Sequence, residues 1–298
     1  TKVLMVKKFN KALAESDTIS MIENPNYKWY SEDNKDAINK GLVMGTILGK
    51  KLQVRGESRE TKWTRLDSGR IDKRLIAELG FGNERVFNTS FIESYSDAFL
   101  HISVDASGSM GGDKWTNTQT AVAAIAKACS MINNVDLVIS YRSTQSTGNS
   151  RRDKNYPLML IAYDSRVDKI NKIKNLFPLL RPSGTTPEGL CFEAVMKEIE
   201  VGSNDKDSYF LNFSDGMPMF QNSDIDYYYD TAINHTAKMV KEIRNRGVKV
   251  LSYFIGGRHD YSEDTKTFTK MYGSDAEFID VTSVLPVAKT MNKKFLQK

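Results

Sequence analysis

The residue types best suited to chemistry concentrate in Asp105-Ala106-Ser107-Gly108-Ser109-Met110, where a carboxylate and two hydroxyls alternate along one short stretch. Asp105, Ser107 and Ser109 offer hard oxygen donors, and Gly108 lets the backbone fold closely around a small ion. Two other stretches carry matching groups. In Ser183-Gly184-Thr185-Thr186-Pro187-Glu188-Gly189 a Thr precedes a Pro suited to the first helical position, which sets a hydroxyl at a helix start. In Leu211-Asn212-Phe213-Ser214-Asp215-Gly216 a carboxylate again follows an apolar run. Oxygen donors of this kind select Mg²⁺ or Mn²⁺ over softer metals.

Such groups act together only if the fold brings three separate loops to one place. Phe99 to Val104 reads as a strand, so Asp105 falls in the turn at its C-terminal end, where open α/β sheets bind ligands. From Val86 onward strands and helices alternate. Strands are expected at Val86–Ile92, Val135–Tyr141, Pro157–Tyr163, Tyr209–Phe213, Val248–Ile255 and Glu277–Val281. Helices are expected at 115–133, with Val122, Ile125, Ala128 and Ile132 buried, and at 167–180, 187–200, 230–246, 264–272 and 284–296. Polar residues 143–156 and residues 217–229 read as long loops, and Asp164 reads as a turn former, with orientation of metal-bound waters as its alternative role. The expected fold is α/β, with a doubly wound, mostly parallel central sheet flanked by helices over residues 86–298, preceded by a helical and basic N-terminal extension over 1–85.

Within that extension a short helix is expected near 7–15 and a longer one from Glu32 to Leu52, with Ile38, Leu42, Leu48 and Leu52 at helical spacing. Gly41, Gly45 and Gly49 form one stripe, which predicts close docking against another element. Ile71–Leu79 reads as a short helix capped by Asp72 and stopped by Gly80-Phe81-Gly82.

The chain has 298 residues, 40% of them hydrophobic, and a net charge of +5. Residues 50–74 hold nine Lys/Arg against four Asp/Glu, so this one segment carries the whole excess. Lys51, Arg55, Arg59, Lys62, Arg65 and Arg70 form its basic patch, with Trp63 among them. Nucleic acid could bind there, but interleaved acids favour a solvated strap or an acidic protein partner. Cys129 and Cys191 sit among apolar residues without metal-site spacing and read as buried thiols. His101 reads as a packed core histidine. No long apolar run suggests a membrane span, and the apolar part of the N-terminus is too short for a signal peptide, so a cytoplasmic location without membrane contact is expected.

The D-x-S-x-S stretch, the Thr loop and the Asp-Gly pair, in that order, resemble the metal-ion-dependent adhesion site of von Willebrand factor A (VWA) domains. Lys62-Trp63-Thr64, Gly69 to Leu75, Asp105 to Met110 and Ser214 to Pro218 narrow the resemblance to the VWA subunit CobT of aerobic cobaltochelatase. The resemblance implies that Ser107, Ser109 and a Thr ligate Mg²⁺ (or Mn²⁺), while Asp105 and Asp215 hold metal-bound waters or the serines. Thr186, which precedes Pro187, is the expected Thr, with Thr185 as the alternative. It also implies a last ligand from an Asp or Glu of a client protein, and an AAA+ ATPase of the MoxR/CobS type as partner. Met110, Asp113, Tyr227 and Tyr228 are the expected partner contacts at this edge. No catalytic activity of the chain alone is expected. A hydrolase using Ser107 or Ser109 is the alternative, although neither lies in a G-x-S-x-G turn.

Overall fold

The computed structural model describes residues 2–26, 31–56, 59–93, 97–132, 134–148, 154–199, 206–256 and 262–280. In chain order the elements are β1 (Leu4–Val6), α1 (Lys11–Glu15), α2 (Ser31–Gly56), β2 (Arg59–Leu66), β3 (Arg70–Ile71), β4 (Phe87–Glu93), β5 (Asp97–Asp105), α3 (Asp113–Cys129) and β6 (Val135–Ser146). Then follow β7 (Asn155–Asp164), α4 (Asn171–Leu176), α5 (Glu188–Val195), β8 (Lys206–Ser214), β9 (Phe220–Gln221), β10 (Asp226–Tyr227), α6 (Tyr229–Asn245), β11 (Lys249–Gly256), α7 (Ser262–Tyr272) and β12 (Ala276–Asp280).

The central sheet runs β1-β7-β6-β5-β8-β11-β12. Its neighbours are parallel except at β6/β7, so the expected mostly parallel α/β sheet flanked by helices is present. Alternate residues of β5 feed different cores. Leu100, Ile102 and Val104 join α3 residues such as Val122 and Ile125 on one face, while Phe99 joins Phe192, Val240 and Phe268 from α5, α6 and α7 on the other. Burial on both faces explains the near-continuous apolar run of this strand. Among the described residues no helix is long and apolar enough to cross a membrane.

Helix α2 lies along α3 through its glycine stripe. A Cβ added to Gly41 or Gly45 would stand 2.4 Å from the carbonyl oxygen of Thr120 or Ala124, and one on Gly49 would stand 2.7 Å from Met131 Sδ. Only glycine lets the two backbones approach this closely. Asn34 Nδ2 secures the other end of α2, donating to the carbonyls of Pro178 (3.1 Å) and Leu180 (2.9 Å).

Several elements depart from expectation. β1 joins the central sheet beside β7, so part of the N-terminal region belongs to the main layer. The strand expected to open the core, β4, pairs instead with β2 and β3 in a separate antiparallel sheet. The basic segment is therefore the end of α2 plus strands of that small sheet. Asp72 caps no helix. It accepts from Arg74 N (3.1 Å) in a turn, and a 3-10 helix, Ile76–Phe81, follows and ends at left-handed Gly82 (φ 80°). Residues 143–146 continue β6 and 155–156 begin β7 in place of the expected loop. Their polar side chains are used: the Ser143 hydroxyl donates to the Ser183 carbonyl, and Thr144 Oγ1 accepts from Thr185 N at 3.1 Å.

The helix expected over 167–180 is α4 followed by a 3-10 turn at Phe177–Leu179, and that over 187–200 ends at Val195. The helix near 7–15 begins only at Lys11, after the Asn10 cap. Helix α3 ends at Cys129, so Ile132 lies beyond it and is half-buried. The loop over 217–229 contains the β9/β10 hairpin. The helix expected over 284–296 lies outside the described residues.

Candidate metal centre

Parallel β5 and β8 are direct neighbours, with Val104 opposite Phe213. Their C-terminal ends therefore carry Asp105 and Asp215 side by side. The Thr loop closes over them: Ser183 N donates to the Ala106 carbonyl (2.7 Å) and Gly108 N to the Gly184 carbonyl (3.0 Å). Gly184 is left-handed (φ 73°), and a Cβ there would lie 2.2 Å from Thr144 Oγ1, so this junction requires glycine.

One hydrogen-bonded constellation results. Asp105 Oδ1 accepts from Ser107 N (2.8 Å), and its Oδ2 accepts from Thr186 Oγ1 (3.1 Å) and Ser214 Oγ (3.2 Å). Ser107 and Ser109 hydroxyls are 3.0 Å apart. Ser109 Oγ donates to Asp215 Oδ1 at 2.9 Å, and Lys114 Nζ donates to Asp215 Oδ2 at 2.6 Å. Asp105, Ser107, Ser109, Thr186 and Asp215, distant in sequence, are thus brought together. Thr185 Oγ1 is buried without a hydrogen-bond partner among the described residues, while its backbone N–H bonds Thr144. Thr186 joins the cluster through Asp105; Thr185 supplies the orphaned hydroxyl.

The cluster also holds a perturbed carboxyl. Burial pushes the Asp105 carboxyl up to about 6, with Asp215 and Glu188 repelling its charge and Arg142 and Ser107 N–H opposing the rise. An all-oxygen set of two carboxylates and several hydroxyls is of the kind that holds a hard divalent ion such as Mg²⁺ or Mn²⁺. Among the described residues no group of three or more His, Cys, Asp or Glu could hold a metal. The donors in this cluster are two carboxylates supplemented by hydroxyls, which is a different kind of set.

Beneath lies a group that no local pattern announced. Arg142 on β6 is fully buried and pairs with buried Glu188 at the start of α5 (2.5 Å). It also donates to Ser103 Oγ on β5 (3.0 Å) and to the Phe213 carbonyl on β8 (3.2 Å). Burial works against its charge, but Glu188 and Asp105 outweigh that and hold it as a cation. One guanidinium therefore ties together the strands and the helix that carry all three loops. Asn212 Nδ2 extends the network to Glu188 (3.2 Å) and Tyr272 Oη (2.8 Å).

The expected partner contacts divide. Asp113 is exposed in the first turn of α3, and Tyr228 is 38% exposed. Met110 is fully buried in the core and cannot touch a partner. Tyr227 is also buried, its hydroxyl 3.0 Å from His235 Nδ1, so it covers α6 instead. Met217 and Met219, which follow Asp215, are exposed, with Met219 N held by the Thr186 carbonyl at 2.8 Å, and Tyr229 is exposed at the start of α6. Tyr229 adopts φ 49°, a strained conformation for an aromatic residue. Asp164 accepts from Arg166 N (3.0 Å) as a turn former.

His101 packs against Phe210, its Nε2 2.9 Å from Ser140 Oγ. With His101 on Ser140 and His235 on Tyr227, neither of these histidines serves Ser107 or Ser109 as a base. Of the basic patch, Lys51 and Arg55 lie in α2, Arg59, Lys62 and Arg65 on β2, and Arg70 on β3. Arg65 is engaged by Glu78 through two hydrogen bonds of 2.9 and 3.0 Å.

No family model matches the sequence. The chain is similar to YojO of Bacillus subtilis (strain 168), itself uncharacterised, at 25% identity over 239 residues, covering 79% of this chain and 36% of that protein. Among solved structures, the pilus adhesin SpaC from Lactobacillus rhamnosus GG in its open conformation is similar at 14% identity and TM-score 0.47, over 69% of this chain and 31% of the adhesin. A second structure of the same adhesin gives 15% identity and TM-score 0.48, over 69% and 32%. The chain spans about a third of the length of these proteins. Overlaps this low carry no argument about function.

Proposed function

We propose that this chain is a VWA-type, metal-dependent protein-interaction module, CobT-like in character, that works in the cytoplasm with a MoxR/CobS-type AAA+ ATPase on a client protein. The observation that carries the reading is the convergence of Asp105, Ser107, Ser109, Thr186 and Asp215 from three loops onto one edge of the sheet. Ser107, Ser109 and Thr186, or Thr185, would contribute neutral oxygens to Mg²⁺, and Asp105 and Asp215 the negative charge. When bound, the ion supplies a positive point to which a partner's Asp or Glu can attach. Lys114 holds one oxygen of Asp215 and leaves the other facing Ser109. Close to them Met217 and Met219 offer exposed apolar contact area for the partner, and Tyr228 and Tyr229 are exposed at the start of α6. The ATPase partner rests on the sequence resemblance at Lys62-Trp63-Thr64 and Gly69 to Leu75.

Two measurements test this reading. Mn²⁺ titrated into the wild-type chain and followed by electron paramagnetic resonance should bind at one site and be lost in Asp105→Ala. A pull-down from native extract should retain an AAA+ ATPase with Mg²⁺ but not with EDTA, nor with Asp105→Ala. Absence of Mn²⁺ binding, or identical partners under all conditions, overturns the proposal.

A further inference from the structure

Over the described side chains of residues 62–90 the segment builds strands without building a core. Between Lys62 and Ser90 only Asp72, Val86 and Asn88 are buried, whereas Trp63, Ile71, Ile76, Leu79 and Phe81 are 46–91% exposed. A small sheet of this kind needs its apolar face covered to offset the entropy of ordering it. β4 ends at Glu93 and β5 begins at Asp97, at the end of β5 opposite Asp105, so this sheet is attached at the edge remote from the candidate metal centre.

The register sorts its side chains. Trp63 pairs with Thr89 and Ile71 with Phe87, and residues two apart on β4 share a face, so Trp63, Ile71 and Phe87 lie on one side. Lys62 pairs with Ser90 and Arg70 with Asn88, which places both cations on the other side. Arg65, Arg74 and Arg85 are matched by Glu78, Asp72 and Asp67. Lys62, Arg70 and Lys73 have no acidic partner among the described residues. The strand order β2-β4-β3 gives β2 one neighbour only, leaving its other edge open among the described residues.

We propose that the open edge of β2 receives an extended segment of a partner protein in which acidic and apolar residues alternate. A strand laid along β2 gains main-chain hydrogen bonds, and its alternate side chains meet Trp63 on one face and Lys62 on the other. An acidic residue beside Lys62 pairs with its ammonium, and an apolar one beside Trp63 covers exposed ring. The register shift after Thr64, with Arg65 at φ 60°, turns the chain aside and confines the edge to Arg59–Thr64, about 20 Å of strand. β2 carries a single aromatic, Trp63, whereas single-stranded nucleic acid calls for a continuous basic groove with several stacking aromatics. This interface stands apart from the metal reading and is independent of divalent ions.

The test uses the whole chain in EDTA and fluorescence anisotropy of labelled probes. These are a peptide of alternating valine and glutamate, an isomer with the glutamates in one block, a peptide of alternating valine and lysine, and an oligothymidine. The alternating glutamate peptide should bind saturably and the block isomer about tenfold more weakly. Lys62→Glu should weaken the glutamate peptide about tenfold and admit the lysine peptide, and Trp63→Ser should weaken both. Both positions are exposed, and unchanged circular dichroism and melting would show that the fold is kept. Equal binding of the two glutamate peptides, or indifference to Lys62→Glu, overturns the proposal. So does preferential binding of the oligothymidine, or a wild-type dimer that Lys62→Glu dissociates.

Discussion

Replacing Gly45 by Ala is the most direct probe of how α2 is held. On helix propensity alone the change should stabilise the protein by about 1 kcal/mol. The packing predicts the reverse. The new methyl would stand 2.4 Å from the Ala124 carbonyl oxygen, 2.7 Å from Lys127 Cβ and 2.9 Å from Ala124 Cα, and two of those three atoms are backbone that cannot rotate away. Relief requires α2 to withdraw from α3 by roughly 1 Å, which loosens the matching contacts at Gly41 and Gly49 on the same stripe. Overpacking of this kind costs about 1–3 kcal/mol, and lost contact along the helix adds to it. With the propensity gain subtracted, the net destabilisation should be about 2 kcal/mol, lowering Tm by roughly 4–8 °C for a domain of this size. Gly80→Ala is the control, since nothing lies within 4 Å of its Cβ position. Calorimetry or urea unfolding of both variants decides the matter. A Gly45→Ala protein as stable as Gly80→Ala would refute the close α2–α3 approach.

Other outcomes follow from the same physical reasoning. Arg142→Met should cost about 3–5 kcal/mol by stranding the buried Glu188 carboxylate, and Arg142→Met/Glu188→Leu should recover part of that loss in urea unfolding. Burial holds the His101 imidazole down at about 3, with Asp164 opposing and Arg166 reinforcing the shift. Between that value and the ordinary value near 6.5 the unfolded chain binds the extra proton. The His101 contribution is therefore complete above pH 6.5 and lost as pH falls toward 3, and His101→Asn should flatten that part of the stability curve. Burial also pushes the Cys129 and Cys191 thiols up to about 12, so both should resist a thiol reagent at pH 8 until urea is added.

Where local pattern and packing pointed the same way, the sequence was a sufficient guide. The alternation of strands and helices from Phe99 onward, and the placement of Asp105 and Asp215 at strand ends, follow from period and punctuation, because a strand buried on both faces must be apolar throughout. The glycine stripe of α2 could be read for the same reason: three glycines on one face have no use except close approach. Tertiary structure alone decided the rest. The polar run at 143–146 becomes strand because the Ser183–Thr185 loop satisfies its hydroxyls, a partner some 40 residues away. β4 leaves the central sheet because β2 and β3 are there to pair with it. Met110 and Tyr227 stand beside exposed residues yet turn inward, since burial depends on what packs above them. Arg142 and Glu188 carry no sequence signal, because a buried ion pair is specified only by the low-dielectric space that two distant elements enclose between them.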